Sequence, residues 1–246
     1  MDFQTSSAVE NKSSTKVISF LALREIIGII GISLPFLLML GTYFLDKCSP
    51  ALQYSISHYY YTKMHMLFVG LLCVLGAFLI TYNGNSNGEK YISTFAGFCS
   101  LSVAVFPDDR VKYIFTQTNC SFIHTEELKE YVPTIHFASA TLLFLCFAII
   151  CFCFFTKPDI LNSDPIKKGR RNFAYKFCGI GILISLILCF LFMKKYLFIS
   201  EEFANHSVLF FETTALLFFG FSWLLKGSLM WPSKRYFLPF IIKYFR

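Results

Sequence analysis

The chain has 246 residues, of which 55% are apolar and 15% are charged, and its formal net charge is +7. Soluble domains carry about 25% charged residues, and the 31 Phe residues here are more apolar side chain than a soluble protein of this length can bury. The composition therefore excludes an ordinary soluble domain. The basic residues lie in short stretches between apolar runs, so we interpret the positive charge as a sign of membrane topology and not of nucleic-acid binding.

Six apolar stretches follow one another along the chain, each close to the roughly 20 residues that a helix needs to cross the hydrocarbon core. Because backbone polar groups must be satisfied inside the bilayer, we expect each stretch to be helical. The sequence therefore predicts an all-α, polytopic transmembrane helix bundle of six spans. The predicted spans are Ile26–Leu45, Met64–Tyr82, Tyr91–Phe106, Ile135–Phe155, Phe177–Met193 and Ser207–Leu225.

The distribution of Lys and Arg predicts the orientation of these spans. The 157–176 connection and the C-terminal tail are both basic, and an even number of spans places them on one side of the membrane. That side is the cytosol by the positive-inside pattern. We therefore expect both termini to be cytosolic and the protein to be integral to a bacterial inner membrane or a plasma membrane, with the lipid bilayer as its main partner.

The chain divides into three regions by composition. Residues 1–25 are predicted to form a polar N-terminal segment that becomes interfacial near its end, and residues 26–227 the six-helix transmembrane domain. Residues 228–246 mix aromatic side chains with Lys and Arg, which is typical of a segment lying on an anionic membrane surface.

Polar side chains gather on the predicted outer side. All five His residues fall there, near several carboxylates and the hydroxyl-rich stretch Ser55–Thr62. Imidazoles with carboxylates suit both zinc binding and general acid–base catalysis, and the sequence leaves the choice open. The candidate catalytic residues are Ser57, His58, Asp108, Asp109, His136 and Glu212, and the candidate zinc ligands are His136 and His206.

Glu212 is the only acidic residue inside a predicted span. A carboxylate in a span costs about 2.5–3.5 kcal/mol on insertion scales, so we expect Glu212 to face the bundle and to have a partner. It could serve as a proton relay, a ligand carboxylate or a general base. The alternative is a structural hydrogen bond to a neighbouring hydroxyl.

Three further patterns have structural interpretations. The Tyr59–Tyr61 run suggests an aromatic belt at the headgroup level, and Arg24 with Glu25 suggests an interfacial ion pair. Cys48 and Cys120 both lie in outer loops, so they form either a disulfide in an oxidising compartment or two free thiols. Glycines that permit close helix approach are expected at Gly28, Gly31, Gly76, Gly97, Gly179 and Gly181.

Four segments carry a family resemblance: SISHYYYTKMHMLFVG, FAGFCSLSVAVFP, IHFASA and FFETTALLFFGFSWLLKG. With them the chain resembles small six-span membrane proteins of a domain-of-unknown-function family with a Frag1/DRAM-type layout, which also have a Ser-containing outer segment before span two. The resemblance implies the six-span topology and no established activity. The chain is more distantly similar to alkaline ceramidase-type membrane hydrolases, in which Ser, Asp and His at one membrane face hold zinc.

Three functions remain open from the sequence, and whether the protein is an enzyme is among the open questions. The first is a membrane-embedded hydrolase that acts on a lipid or amphiphile at the outer leaflet. The second is a transporter of a small solute or protons in which Glu212 is the coupling group. The third is a non-catalytic scaffold or sensor that binds partners through the 107–134 loop and the basic tail.

Overall fold

The computed structural model describes residues 3–46, 49–108, 131–157, 165–197 and 199–228. Within these ranges the chain forms six α-helices and no strand, which confirms the all-α class. A short 3-10 helix lies between the first two α-helices, at Ser57–Tyr61, and a π-helical stretch, Ile150–Phe155, continues the fourth. The α-helices are α1 Phe3–Leu45, α2 His65–Thr81, α3 Asn87–Val105, α4 Tyr131–Ile149, α5 Pro165–Met193 and α6 Glu201–Ser228.

Each α-helix coincides with one predicted span, but three begin well before the apolar run. Helix α1 is one continuous helix of 43 residues that passes through Pro35, whereas the apolar stretch begins only at Ile26. Helices α5 and α6 likewise start upstream of their apolar runs. The prediction missed these extensions because it rested on the membrane requirement, which concerns only the apolar part of a helix.

Four of these helices are long and apolar enough to cross a membrane, and they place the protein in the helical membrane class. The qualifying segments are Ala22–Leu45, Tyr131–Phe155, Lys168–Met193 and Phe203–Gly227. Helix α2 is apolar but has only 17 residues. Helix α3 has 19 residues, but its first turns contain charged residues and it does not reach the same hydropathy.

The helices pack in the order of the chain, and the last helix returns to pack against the first. Each contacts its sequence neighbours, and α6 packs along α1. Glycines allow the closest approaches: a Cβ atom built on Gly220 would lie 2.6 Å from the carbonyl oxygen of Gly28, and one on Gly97 would lie 2.6 Å from that of Gly76. The close-approach role is thus confirmed at Gly28, Gly76 and Gly97.

The bundle has two polar ends. The end that carries the α1–α2 and α5–α6 connections and the end of α3 is called the site end, because the candidate catalytic residues meet there. The other end carries the α2–α3 connection and the last turn of α6, and it is called the closed end. Between them lies an apolar core that includes the fully buried Phe219 and Trp223.

Candidate functional site

The predicted catalytic residues that the structure describes line one cavity of about 700 Å³ at the site end. Its volume lies within the roughly 300–1,000 Å³ range of ordinary ligand pockets. Asp109, Cys48 and Cys120 lie outside the described residues, so neither Asp109 nor the disulfide is placed. The predicted residues that line the cavity are Ser57, His58, Asp108, His136 and Glu212.

The segment between α1 and α2 forms the polar wall of the cavity. Although it is mostly irregular and hydroxyl-rich, Ser55, Ser57 and His58 are buried. Irregular backbone at membrane depth is tolerated only where protein buries it or where it lines a cavity. The burial of this segment therefore sets it apart from an ordinary surface connection.

Tyr59 and Tyr61 are buried and hydrogen-bonded inside the protein, which corrects the aromatic-belt interpretation for these two residues. Tyr59 is fully buried and its hydroxyl donates to the carbonyl of Ala51 at 2.6 Å. The hydroxyl of Tyr61 donates to the backbone carbonyl of Asp108 at 2.5 Å. Burial raises the pKa of Tyr59 to about 12, so it stays a neutral donor at physiological pH.

One face of α6 supports the same segment from the other side. His206, Leu209 and Glu212 are three residues apart and so lie along one helical face. The Leu209 N–H donates to the carbonyl of Tyr54 at 3.0 Å, and His206 Nδ1 lies 3.2 Å from the carbonyl of Gln53. The start of α6 therefore fixes the height of the segment in the bundle.

Glu212 completes this face by accepting a backbone hydrogen bond. The Ile56 N–H donates to Glu212 Oε2 at 2.7 Å, immediately before the 3-10 helix that begins at Ser57. A carboxylate at the N-terminus of a helix satisfies an N–H group that has no partner within the helix. Glu212 thus has the expected partner, but it is a backbone amide and not a hydroxyl, and its side chain still lines the cavity.

Ser57 and His136 form the closest side-chain pair between the segment and α4. Ser57 Oγ lies 2.8 Å from His136 Nε2, and His136 Nδ1 lies 2.6 Å from the backbone carbonyl of Phe106. Because a carbonyl only accepts, Nδ1 carries the proton of the neutral ring and Nε2 is left as the acceptor. The Ser57 hydroxyl therefore donates to His136, as a nucleophile does to its general base.

A second imidazole stands next to this pair. His58 Nδ1 lies 2.5 Å from Ser55 Oγ and 3.9 Å from Asp108 Oδ2. Ser57 does not pair with the adjacent His58; its partner His136 is 79 residues away in the chain.

The remaining walls are apolar and come from α4, α5 and α6. Phe137 and Phe144 of α4 face the cavity together with Leu186 and Phe190 of α5. Phe190 is also 46% exposed on the bundle surface, where lipid would lie. The cavity therefore combines a few polar groups on one wall with a hydrocarbon-like lining, which suits an amphiphile.

The described residues do not assemble a metal site. No group of three or more His, Cys, Asp and Glu within the described ranges could hold a metal ion. Both ring nitrogens of His136 already have partners, and His206 stacks on Tyr54 with the ring centroids 6.1 Å apart. The donor set therefore does not fit the predicted zinc pair of His136 and His206.

The closed end holds a buried polar cluster that the sequence analysis did not predict. Arg24 is fully buried; its Nε donates to the Tyr82 hydroxyl at 2.8 Å, and a terminal guanidinium nitrogen lies 3.7 Å from Glu89 Oε1. Tyr82 in turn donates to Glu89 at 2.7 Å. Arg24 is therefore a buried member of this cluster, and its expected pairing with Glu25 at the interface stays a prediction. The available signal was a cation and an acid, each placed just before an apolar run of the chain.

Lys226 belongs to the same end and is buried as well. Its ammonium group donates to the carbonyl of Phe155 at 3.3 Å and lies 5.7 Å from the ring centroids of both Phe155 and Tyr175. Aromatic faces and a carbonyl can both stabilise a desolvated cation. Both buried cations described at the closed end, Arg24 and Lys226, are therefore stabilised by nearby electron-rich groups.

Comparison with known proteins adds no further constraint: no family model, curated protein or solved structure matches the chain. The fold and site by themselves define a helical membrane-type bundle with a buried polar segment and a hydrogen-bonded Ser–His pair at one end.

Proposed function

We propose that the protein is a six-span integral membrane protein with cytosolic termini that hydrolyses a lipid or other amphiphile at the outer leaflet. The observation that carries the proposal is the Ser57 hydroxyl donating to His136, whose ring is oriented by the Phe106 carbonyl. The pair faces a largely apolar cavity. This is the arrangement of nucleophile, base and orienting group that acyl transfer requires.

The reaction follows from the two groups and a substrate acyl carbon. Ser57 Oγ attacks the carbonyl carbon while His136 Nε2 takes the hydroxyl proton. When the tetrahedral intermediate collapses, the bond to the leaving group breaks and His136 returns the proton to that group. Water, deprotonated by the same imidazole, then cleaves the acyl-Ser57 ester and regenerates the hydroxyl.

The backbone carbonyl of Phe106 takes the place that a carboxylate has in other triads. It fixes the tautomer and the direction of the ring but carries no full charge, so it stabilises the imidazolium less than a carboxylate does. Glu212 acts one step away, because it holds the Ile56 N–H next to Ser57. Glu212 is therefore a positioning residue in this proposal.

Ester hydrolysis by the purified protein tests the proposal. We expect cleavage of long-chain p-nitrophenyl esters in detergent micelles and weaker cleavage of short-chain esters, because the apolar walls bind the chain. Ser57→Ala and His136→Gln should each lower the rate by about 10²- to 10⁴-fold, the usual contribution of general-base catalysis.

Ser139→Ala is the matched control. Ser139 lies three residues after His136 on α4 and pairs with Ser102 at 2.8 Å, but it does not line the cavity. Its replacement should leave hydrolysis near the wild-type rate. Wild-type protein without esterase activity, or Ser57→Ala with full activity, would overturn the proposed function.

A further inference from the structure

Lys195 is the single Lys or Arg among the described residues that line the cavity. It follows the last turn of α5, where Met193 and Phe190 continue the apolar wall. Its side chain is exposed and makes no ion pair with a described acidic residue. A solvated cation thus follows directly on the apolar wall that α5 contributes to the cavity.

The backbone at Lys195 adopts a conformation that Lys rarely has. Its φ is +56°, the only positive value of a non-glycine residue among the described residues. The Lys195 N–H donates to the carbonyl of Phe192 at 3.0 Å, and the Tyr196 N–H donates to that of Leu191 at 2.9 Å. These two bonds define a Schellman motif, in which this position is usually Gly. Lys195 therefore occupies a backbone position that Gly would adopt with less strain, and such positions are common at functional sites.

The two carboxylates that the described residues contribute to the cavity both contact its polar wall. Glu212 accepts from the Ile56 N–H, and Asp108 faces the ring of His58. Both acidic groups are thus committed to the 55–58 segment. Neither carboxylate forms an ion pair with Lys195, and apolar side chains of α4 and α5 make up much of the remaining lining.

The apolar wall continues onto the surface of the bundle. Phe137 of α4 and Ile187 and Met193 of α5 line the cavity, yet they remain 39%, 57% and 45% exposed. These side chains belong both to the cavity lining and to the exposed surface of the bundle, so the apolar wall is continuous with the surface that lipid would contact. Lys residues near the ends of membrane helices reach the level of the headgroups.

We propose that the cavity binds a phosphate-bearing lipid, with an acyl chain against the apolar wall of α4 and α5 and its phosphate on Lys195. This inference rests on the proposed function only in taking an amphiphile as the occupant of the cavity. It deepens that function by naming the substrate class. The position of Lys195 beside the chamber lets the phosphate stay solvated while the chain is buried.

Lipid retention tests the assignment without relying on catalysis. Full-length protein carrying Ser57→Ala is equilibrated in micelles that contain equal amounts of dioleoylphosphatidate and dioleoylglycerol, which differ only by the phosphate. Bound lipid is then quantified by mass spectrometry. We expect phosphatidate to be preferred, and Lys195→Gln to lower that preference about fivefold, the effect of one Lys near a lipid surface.

Two further variants separate charge from backbone and from the general surface field. Lys195→Gly keeps the Schellman motif without strain, so it should lose the same preference while thermal unfolding shows an intact fold. Lys194→Gln removes the neighbouring exposed charge, which does not line the cavity. It should change the preference by clearly less than Lys195→Gln.

Three results would overturn the inference: equal losses for Lys194→Gln and Lys195→Gln, no preference for phosphatidate, or displacement of the lipid by an equal concentration of inorganic phosphate. The last result would assign Lys195 to a free phosphate. Wild-type protein without esterase activity, combined with a preference for phosphatidate that depends on Lys195, would count against the proposed function alone. Esterase activity in the wild type, combined with no effect of Lys195→Gln on lipid preference, would count against the role of Lys195 alone.

Discussion

The two ends of the bundle use similar polar residues in opposite ways. At the closed end Arg24, Tyr82 and Glu89 are each almost fully buried and bond to one another. At the site end Ser57, His136 and Glu212 also have partners, but they face a cavity of about 700 Å³. One end therefore has its polar groups sealed inside protein, whereas the other presents them to a space that a ligand can enter.

This difference shows that a buried charge in a membrane bundle does not by itself indicate function. Ionisable residues within a membrane are expected to be functional, yet Arg24, the most deeply buried cation among the described residues, is accounted for by the helices that it joins. What distinguishes the site end is a segment of irregular backbone that lines a cavity. Mutations at the closed end should therefore change mainly stability, whereas mutations at the site end should change mainly activity.

Arg24→Met should produce the largest loss of stability. It leaves the carboxylate of Glu89 buried without its guanidinium partner, and breaking a buried pair in this way costs about 3–5 kcal/mol. Unfolding of the purified protein in detergent measures the loss. Esterase activity per folded molecule should stay close to that of the wild type, because the cluster lies at the far end of the bundle from Ser57.

Lys90→Met is the control for this prediction. Lys90 follows Glu89 on α3 but is exposed, so its replacement should change the free energy of unfolding by no more than about 0.5 kcal/mol. If Arg24→Met were as mild as Lys90→Met, the closed end would not be the structural cluster that its geometry indicates.

Glu212→Ala should cause an intermediate loss of stability, localised at the site end. It removes the acceptor of the Ile56 N–H, and a buried donor left without a partner costs about 1–3 kcal/mol. The segment that carries Ser57 should loosen, so hydrolysis should fall and hydrogen exchange of the Ile56 amide should become faster.

Glu212→Gln separates the positioning role from a proton-coupling role. The Gln carbonyl can still accept from Ile56 but cannot carry the charge, so most of the activity should remain. If Glu212 were instead the coupling group of a transporter, Glu212→Gln and Glu212→Ala would abolish proton-driven flux into proteoliposomes to the same extent.

The helices could be predicted because apolar runs have few alternatives in a bilayer. The predicted span Met64–Tyr82 differs from α2 by one residue at each end, since the apolar run and the helix nearly coincide there. The polar first half of α1 was not predicted, because the membrane requirement says nothing about residues outside the hydrocarbon core. Whether α2 and α3 span the membrane stays a prediction.

The composition of the site was more predictable than its connections. The sequence identified Ser57, His136 and Glu212 as candidates because they are polar residues on the predicted outer side of a largely apolar chain. It did not identify their partners, because the Ser57–His136 and Ile56–Glu212 bonds join residues 79 and 156 positions apart. Tyr59 was misassigned for a different reason: an aromatic residue near a span is commonly interfacial, and the sequence does not show that its hydroxyl donates to the nearby carbonyl of Ala51.

Covalent labelling of Ser57 is the most direct test that the site end carries a nucleophile. Folded wild-type protein is treated with a long-chain fluorophosphonate, in which an activated serine oxygen displaces fluoride from phosphorus, and the modified peptide is sequenced by mass spectrometry. We predict an adduct on Ser57 that is lost in His136→Gln and retained in Ser139→Ala. No adduct on Ser57, or an adduct on Ser57 that His136→Gln leaves undiminished, would contradict the account.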